Sequence, residues 1–464
     1  MNPAVVFDQL SFFYPAYGEE PHLLLQKISC IFEAGKLHVV IGEPGSGKST
    51  LAHILTGLVP HYSGGEMSGD VSVLGESVRD LLGFEFVPRA GLVMQDAHQQ
   101  IITSSCSHEI AFPLEALGLP REEIQSRIDN TLDFFDMNDF RHRDPAELSG
   151  GELKKLLLAV AYAVDPPLLV LDESLEEIDT AFRRKYLWEM KRKQKSIIYF
   201  AAKPDPVIEE TADSWYLMEE GKINRIQQAP TISYPGRRQD KTSSLERDSL
   251  VTINNCRFGY ENRFTLSIDT LTLYSGEVTA LVGPNGCGKT TLCRILSGLA
   301  VPEEGSITIG MHEVHARYLS AWAGYLFQNP DYQIFLPTVT GELTYGMRRM
   351  GLDRAECEKK SEELQKMFLL PSGNTPPSML SYGERKLLQS AVYYALPKGL
   401  YIFDEVDSGL SLPLLSRILD LYGHRNAALL LVTHHQGFAE AVADRIITMG
   451  NGKIVRDERL GGRT

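Results

Sequence analysis

Long apolar runs are absent from this sequence of 464 residues. No run approaches the roughly 20 residues needed to cross a bilayer, and the N-terminus lacks the charged and then apolar pattern of a secretory signal. We therefore expect a cytoplasmic chain. Cysteine is also scarce: the six cysteines form no Cys-x-x-Cys pair, so the sequence predicts neither a disulfide framework nor a zinc site.

Positive charge is in short supply. Lys and Arg number 46 against 60 Asp and Glu, which gives a net charge of −14. Binding to nucleic acid backbones depends on clustered Lys and Arg, so we expect no nucleic acid partner. One basic stretch, Arg183 to Lys193, contains Trp188 and is predicted to be the solvated face of a helix.

Two glycine-rich segments, one in each half of the chain, match the pattern G-x-x-x-x-G-K-[ST]. Each follows an apolar run and precedes a helical pattern, which is the context of a phosphate-binding loop. Main-chain N–H groups would wrap the phosphates, the lysine would contact the terminal phosphates, and the Ser or Thr hydroxyl would bind Mg²⁺. An ordinary glycine-rich turn is the alternative, and two matches in the same context disfavour it. The predicted residues are Gly42, Gly45, Gly47, Lys48, Ser49 and Thr50 in the first loop and Gly283, Asn285, Gly286, Gly288, Lys289, Thr290 and Thr291 in the second.

The two loops belong to a longer repeat. Further pairs recur at a nearly constant separation, namely Gln95 and Gln328, Ser149 and Ser381, Asp172 and Asp404, and Lys203 and His434. One unit has therefore been repeated whole. The two loops are eight residues further apart than the two glutamines, so the first copy carries an insertion, which we place around 61–69.

The length suits two α/β domains, each with its own core. We predict a first domain over 1–226 and a second domain over 250–464. Between them, the stretch 227–249 is polar and contains Pro, Gly and Ser without a sustained apolar period. This composition is typical of a linker.

A pair of acidic residues ends one apolar strand in each half. These are Asp172 and Glu173 in the first half and Asp404 and Glu405 in the second. The carboxyl end of a strand in an α/β sheet faces the crevice where ligands bind. One carboxylate can therefore take part in magnesium coordination while its neighbour acts on water.

A third motif identifies the family. Leu148-Ser149-Gly150-Gly151-Glu152 and Leu380-Ser381-Tyr382-Gly383-Glu384 each precede a helical stretch, and each stands at the same distance before the acidic pair of its half. With the loops and the acids in this order twice, the chain resembles an ATP-binding cassette (ABC) ATPase with two nucleotide-binding domains in tandem. The resemblance implies that each domain is a P-loop fold with a mixed β core, an antiparallel β subdomain and a helical subdomain.

The resemblance also implies roles for single residues, with ATP and Mg²⁺ as cofactors. Catalysis falls to Glu405, His434 and Glu173, and the magnesium ligands are Ser49, Gln95, Asp172, Thr290, Gln328 and Asp404. Besides the phosphate loops, the ATP contacts are Tyr14, Gln95, Ser149, Gly150, Gly151, Tyr260, Gln328, Ser381 and Gly383. Tyr14 and Tyr260 would stack on adenine, with plain strand packing as the alternative.

A narrower resemblance lies after each glutamine. Phe327-Gln328-Asn329-Pro330-Asp331-Tyr332-Gln333-Ile334-Phe335 is similar to the ATPases of energy-coupling factor (ECF) importers for vitamins and transition-metal ions, and Met94 to Ile101 is a weaker copy. It implies that the chain is peripheral on the cytoplasmic face of the cell membrane. Its partners would be a transmembrane coupling subunit and a substrate-binding membrane protein, docked on this post-glutamine segment. A surface loop without a partner is the alternative.

Cassette domains pair head to tail, so the resemblance implies composite ATP sites formed within one chain or in a dimer of chains. Each would join the phosphate loop of one half to the Leu-Ser-x-Gly motif of the other. The site of Lys48 and Glu173 would then be degenerate in three ways: Lys203 replaces a histidine, Tyr382 replaces a glycine, and Ser411 replaces an acidic residue. We expect hydrolysis mainly at the site of Lys289, Glu405 and His434. The alternative is drift without functional asymmetry.

Two other functions stay open. One is a soluble twin-cassette factor that acts on ribosomes or DNA, although the sequence offers no zinc cysteines and no basic tail for it. The other is the ATPase of a different ABC importer, such as a sugar importer.

Overall fold

The computed structural model describes residues 3–14, 23–43, 45–62, 64–81, 83–176, 178–230, 248–260, 264–284, 286–407, 410, 412–433 and 435–460. The chain divides into two compact units, Met1–Ile232 and Ser233–Thr464. Most of the linker predicted over 227–249 lies outside the described residues.

The first unit contains two sheets with helices on the larger one. Its strands are β1 Pro3–Phe13, β2 Leu23–Glu33, β3 Leu37–Gly42, β4 Glu66–Val73, β5 Glu76–Ser77, β6 Ala90–Val93, β7 Leu168–Asp172, β8 Ser196–Ala201, β9 Ser214–Glu219 and β10 Lys222–Ile226. Its helices are α1 Lys48–Leu55, α2 Gly83–Phe86, α3 Cys106–Ala116, α4 Arg121–Phe134, α5 Gly150–Val164, α6 Thr180–Arg192 and α7 Pro206–Thr211. The antiparallel sheet has the order β2-β1-β4-β5, and the larger sheet has the order β10-β9-β3-β8-β7-β6.

The second unit repeats this architecture. Its strands are β11 Ser249–Tyr260, β12 Phe264–Tyr274, β13 Val278–Val282, β14 Glu304–Ile309, β15 His312–Glu313, β16 Ala323–Leu326, β17 Leu400–Asp404, β18 Ala428–Val432, β19 Arg445–Gly450 and β20 Lys453–Arg459. Its helices are α8 Lys289–Leu296, α9 Ala316–Trp322, α10 Val339–Arg349, α11 Arg354–Met367, α12 Tyr382–Tyr394, α13 Leu412–Gly423 and α14 Gln436–Val442. The sheet orders, β12-β11-β14-β15 and β16-β17-β18-β13-β19-β20, match those of the first unit and confirm the predicted tandem α/β fold.

The core of each unit lies on both faces of the larger sheet. Along β7, Leu168 and Val170 pack with α1 and the antiparallel sheet, whereas Leu169 and Leu171 pack with α5 and α6. Parallel strands covered on both faces read as continuous apolar runs, which is why the sequence of this strand shows no alternation. The strands β3, β7 and β8 are parallel neighbours, so their carboxyl ends lie at one edge of the sheet.

The basic stretch on α6 is more than a solvated face. Trp188 is exposed, as predicted. Several of the basic side chains form ion pairs with acids from other elements: Arg184 with Glu210, Lys185 with Asp136, Lys191 with Asp213, and Lys193 with Asp165. Such exposed pairs stabilise a fold by little, but they neutralise this helix as a surface for phosphates.

The additional residues of the first half fall in two places. Gly69 and Gly305 approach equivalent main-chain oxygens of β1 and β11, so they are counterparts. Ala90 and Ala323, which begin β6 and β16, are also counterparts. They are three residues closer along the chain than Gly69 and Gly305 are. Three of the eight additional residues therefore lie between Gly69 and Ala90, where no sequence signal marked them. The other five precede Gly69, as expected.

No helix among the described residues combines the length and the apolar character that a membrane crossing requires.

Gly69 provides a test of the packing between β4 and β1. Its φ is +80°, and an added Cβ would lie 2.3 Å from the main-chain oxygen of Gln9. Gly75 has a φ of +88° but open space around the same position. We expect Gly75→Ala to lower the free energy of unfolding by about 1 kcal/mol through backbone strain, and Gly69→Ala by roughly 1–3 kcal/mol more through the main-chain clash. Urea unfolding followed by circular dichroism measures both, and equal losses would contradict the close approach.

Candidate functional site

The first phosphate-binding loop joins β3 to α1. At Gly42 an added Cβ would lie 2.6 Å from the main-chain oxygen of Met218, so the position requires glycine. Gly47 precedes α1 with a φ of 103°, in the left-handed region. The Lys48 Nζ donates to the main-chain oxygens of Gly42, at 2.7 Å, and Glu43, at 3.1 Å. The lysine therefore folds back across its own loop beside the positive end of α1.

The second loop, between β13 and α8, has the same geometry. Gly288 has a φ of 104°, and Lys289 Nζ donates to the main-chain oxygens of Gly283 and Pro284 at 2.8 and 3.1 Å. Of the residues predicted for this loop, Asn285 lies outside the described residues. The described residues of the two loops therefore agree, and each unit has the same strand, loop and helix with a lysine folded across the loop.

A glutamine and a glutamate meet beside each loop. Gln95 Nε2 donates to Glu173 Oε2 at 2.7 Å, and Gln328 Nε2 donates to Glu405 Oε2 at 2.8 Å. In the first unit Glu173 Oε1 also lies 3.4 Å from Lys48 Nζ. Both predicted water-positioning carboxylates are therefore held by the predicted glutamines.

Both glutamates adopt a left-handed backbone. The φ angles are 47° for Glu173 and 49° for Glu405, values that are uncommon outside glycine. The N–H of Glu173 donates to Phe200 O and that of Glu405 to Val432 O, which ties each residue to the neighbouring strand. Such conformations persist where the surroundings enforce them, often at functional sites.

The aspartates that precede the glutamates are buried. Burial, followed by the charge of Glu173, raises the pKa of Asp172 to about 7, and a hydrogen bond with Ser49 opposes the rise. Burial also raises the pKa of Asp404 to about 6, against a hydrogen bond that Tyr325 donates at 2.6 Å. Asp172 Oδ1 is buried with no hydrogen-bond partner. A buried carboxylate oxygen of this kind, beside a serine hydroxyl, suits Mg²⁺, a cation that prefers oxygen ligands.

Two lysines that the sequence analysis missed complete the sites. Lys154 Nζ donates to the main-chain oxygen of Glu173 at 3.3 Å, and Lys386 Nζ donates to that of Glu405. Both side chains are buried on the helices α5 and α12. The sequence does contain a signal for these lysines, because each one follows the serine of the third motif at the same interval and so belongs to the repeat.

The serines of the third motif are helix N-caps. Ser149 precedes α5 and Ser381 precedes α12, and each forms a capping box with the glutamate three residues on. Gly150, Gly151 and Gly383 lie in the first turns of these helices. Within its own unit, the motif thus exposes the N-terminus of a helix, which favours anions.

The aromatic predictions have mixed support. The Tyr14 hydroxyl lies 3.4 Å from Thr50 Oγ1 at the phosphate loop, and its ring packs edge-on against Phe12 with centroids 4.8 Å apart. Both stacking on adenine and strand packing fit this position. The side chain of Tyr260 lies outside the described residues, as do His434 and Ser411.

Comparison with known proteins gives consistent results. Residues 25–176 and 266–408 match the family model described as ABC transporter. A protein of Methanosarcina mazei named as an ABC transporter ATP-binding protein is 31% identical over 96% of this chain and 93% of its own length. A Treponema denticola protein of the same name is 28% identical over 96% of each chain. Among solved structures, a chain in a model of ribosome-bound archaeal Pelota and ABCE1 has a TM-score of 0.66 at 18% identity, over 97% of this chain and 78% of that one. At that identity the similarity shows the fold alone.

If the two aspartates bind Mg²⁺, their raised pKa values should make that binding sensitive to pH. A carboxyl group whose pKa is about 7 or about 6 is partly protonated at pH 6.5, and a metal ion must displace that proton. We expect the Mg²⁺-nucleotide complex to bind more weakly at pH 6 than at pH 8, with proton release at pH 6.5 that disappears at pH 8.5. Calorimetry in two buffers of different ionisation enthalpy measures this release.

The nucleotide also releases protons, equally in the parent chain and in the variants Asp172→Asn and Asp404→Asn. The difference between their titrations therefore measures the protons released by the aspartates. Each variant should release fewer protons than the parent chain. Unchanged proton release in both would rule out the aspartates as its source.

Proposed function

Because this chain belongs to the ABC transporter family, we propose that it is the ATP-hydrolysing subunit of a membrane importer of the energy-coupling factor type. The imported substrate would be a vitamin or a transition-metal ion, and the chain would lie on the cytoplasmic face of the membrane. Membership of the family makes it an ATPase, as the sequence predicted. The observation that supports a membrane partner is an apolar surface repeated in both units.

The repeated surface consists of two large side chains in each unit. Ile102 and Phe112 are 68% and 47% exposed. Their counterparts, counted from the paired glutamines, are Phe335 and Tyr345, which are 68% and 42% exposed. The rings of Phe335 and Tyr345 pack edge-on with centroids 5.6 Å apart. Exposed apolar groups at one position of both repeats favour a contact surface over chance exposure.

A buried carboxylate holds each of these surfaces in place. Glu109 on α3 accepts hydrogen bonds from the main-chain N–H groups of Ile102 and Thr103, at 3.2 and 2.8 Å. Glu342 on α10 accepts from the N–H groups of Phe335 and Leu336. These hydrogen bonds fix the backbone at Ile102 and at Phe335, so the exposed side chains stand on an ordered loop in both units. This arrangement supports docking of a partner at the post-glutamine segment.

Asp331, which lies in the same segment, is a poorer probe of docking than Phe335. Its Oδ1 atom lies 2.8 Å from Arg385 Nε on α12. A charge reversal there would break an ion pair inside the unit as well as change the surface. Replacement of Phe335 breaks no ion pair.

The asymmetry of hydrolysis also belongs to the proposal. Lys203 follows β8 where His434 follows β18, and a lysine ammonium only donates hydrogen bonds, whereas neutral imidazole also accepts them. The phosphate loop in each unit supports ATP binding in both halves. The lysine at position 203 supports turnover mainly at Glu405.

Separate replacement of the two carboxylates tests the asymmetry. Glu405→Gln keeps the shape of the side chain but removes the charge that accepts a proton from water, which should slow the chemical step by roughly 10²-fold to 10⁴-fold. We expect this variant to lose nearly all steady-state ATPase activity, while Glu173→Gln keeps most of it. Nucleotide binding by both variants is the control. Comparable losses of turnover would show that the two sites hydrolyse in alternation or in concert.

Replacement of the exposed apolar residues tests docking. Ile102→Glu combined with Phe335→Glu should reduce binding to vesicles of the native cell membrane by about 30-fold or more, because buried apolar anchors dominate interfaces. ATP affinity should stay unchanged. Met311→Glu is the matched control, because Met311 is exposed at the turn between β14 and β15. Full retention of binding by the double variant, an equal loss in the control, or recovery of ribosomal proteins in place of a membrane subunit would each contradict the importer.

A further inference from the structure

One face of α12 carries a polar stripe that its counterpart α5 lacks. Tyr382, Arg385, Gln389 and Tyr393 are three or four residues apart, so they lie on one side of the helix. All four contact residues 327–333, which include the glutamine that binds Glu405. We define these four side chains as the α12 stripe.

The N-terminal half of the stripe holds the start of the segment. The Tyr382 hydroxyl donates to the main-chain oxygen of Gln328 at 3.0 Å. Arg385 forms the ion pair with Asp331. Lys386, beside the stripe, lies with its Nζ 5.3 Å from the centre of the Tyr382 ring.

The C-terminal half of the stripe contacts the segment at Phe327 and Gln333. Gln389 is buried, and its Nε2 donates to the main-chain oxygen of Phe327 at 3.2 Å and also to Gln333 Oε1. Gln333 Nε2 donates to the Tyr393 hydroxyl at 2.7 Å. Residues 327–333 are thus tied to one helix at both ends of that stretch.

The first unit has the same backbone frame without these ties. When Ser149 is aligned with Ser381, the positions that correspond to the stripe are Gly150, Leu153, Leu157 and Ala161, none of which has a polar side-chain atom. Gln100 still accepts from the Met94 N–H at 2.7 Å and donates to Leu92 O at 3.0 Å, as Gln333 does with Phe327 and Tyr325. The frame is therefore shared, and the stripe belongs to the second unit.

The segment and α12 both form a hydrogen bond with Glu405, the proposed catalytic carboxylate. Gln328 donates to Glu405, and Lys386 of the same helix donates to the main-chain oxygen of Glu405. A displacement of the segment that leaves α12 in place would therefore strain several directional hydrogen bonds. Apolar contacts such as those of Leu153 and Leu157 are non-directional and permit sliding.

We propose that Tyr382, Arg385, Gln389 and Tyr393 are positioning residues that make the post-glutamine segment and α12 move as one body in the second unit. A partner that presses on Phe335 then shifts Ser381, at the start of α12, together with Gln328 and Glu405. This inference rests on the proposed docking surface and on turnover at Glu405. It also gives Tyr382 a role inside its own unit, besides the loss of a glycine that its sequence position suggests.

The test uses the full chain with Tyr382→Phe and Gln389→Leu, which delete hydrogen-bonding groups while retaining bulk. Turnover is measured in a Glu173→Gln background, so that it reports the second unit. We expect each variant to lower kcat about fivefold, the loss expected for one hydrogen bond, with KM for ATP changed less than about twofold. Amide hydrogen exchange at Phe327, Asp331 and Gln333 should quicken by a similar factor, while exchange at Met94 stays unchanged.

Tyr422→Phe is the matched control. It also deletes a tyrosine hydroxyl that donates to a main-chain oxygen of α12, that of Ser390 at 2.6 Å, without touching the segment. Unchanged exchange in the stripe variants, a gain in kcat, or the same losses in Tyr422→Phe would overturn the inference. If the Glu173→Gln background is itself inactive, the proposed asymmetry fails, and hydrogen exchange in the parent background decides the role of the stripe.

Discussion

Two adjacent carboxyl groups at the buried end of one strand are the constraint around which each unit is organised. Burial of charge is unfavourable unless partners surround it. Around Glu173 these partners are Lys48, Gln95 and Lys154, which come from three separate elements. The phosphate loop, the glutamine segment and the helix that follows the third motif therefore converge because the acids require them. The same convergence prepares a place for a cation and a triphosphate.

Duplication has kept this constraint and changed its surroundings. The glutamine to glutamate distance is 2.7 Å in the first unit and 2.8 Å in the second, and both glutamates keep a positive φ. The surroundings differ: Asp404 accepts a hydrogen bond from Tyr325, whereas the residue that corresponds to Tyr325 in the first unit is Leu92. The helix behind the site has an apolar face in the first unit and a polar face in the second. The two units thus share the same glutamine and glutamate but differ in the residues that position them.

The sequence predicted the fold and the groups at its centre, because their signals are local. A phosphate loop, an acidic pair after an apolar strand and a capped helix can each be recognised from a short stretch of chain. Lys154 was missed because a lysine in a helical pattern reads as solvated, and its partner lies on another element. Tyr382 was interpreted only through the neighbouring ATP, since its contact with Gln328 spans 54 residues. The domain limits and the ATP contacts remain predictions, with His434 and Asn285 outside the described residues.

The carboxylates of Glu109 and Glu342 have a consequence for how such a surface can change over time. Each holds the main-chain N–H group of one exposed apolar residue, Ile102 in the first unit and Phe335 in the second, and that of the residue after it. The anchors themselves already differ between the copies, isoleucine against phenylalanine and phenylalanine against tyrosine. Because the loop backbone is held by a carboxylate and not by the exposed side chains, these side chains can be substituted without a change in the loop. Under the proposed docking, a lineage could exchange one partner for another through a few point substitutions, without rebuilding the loop.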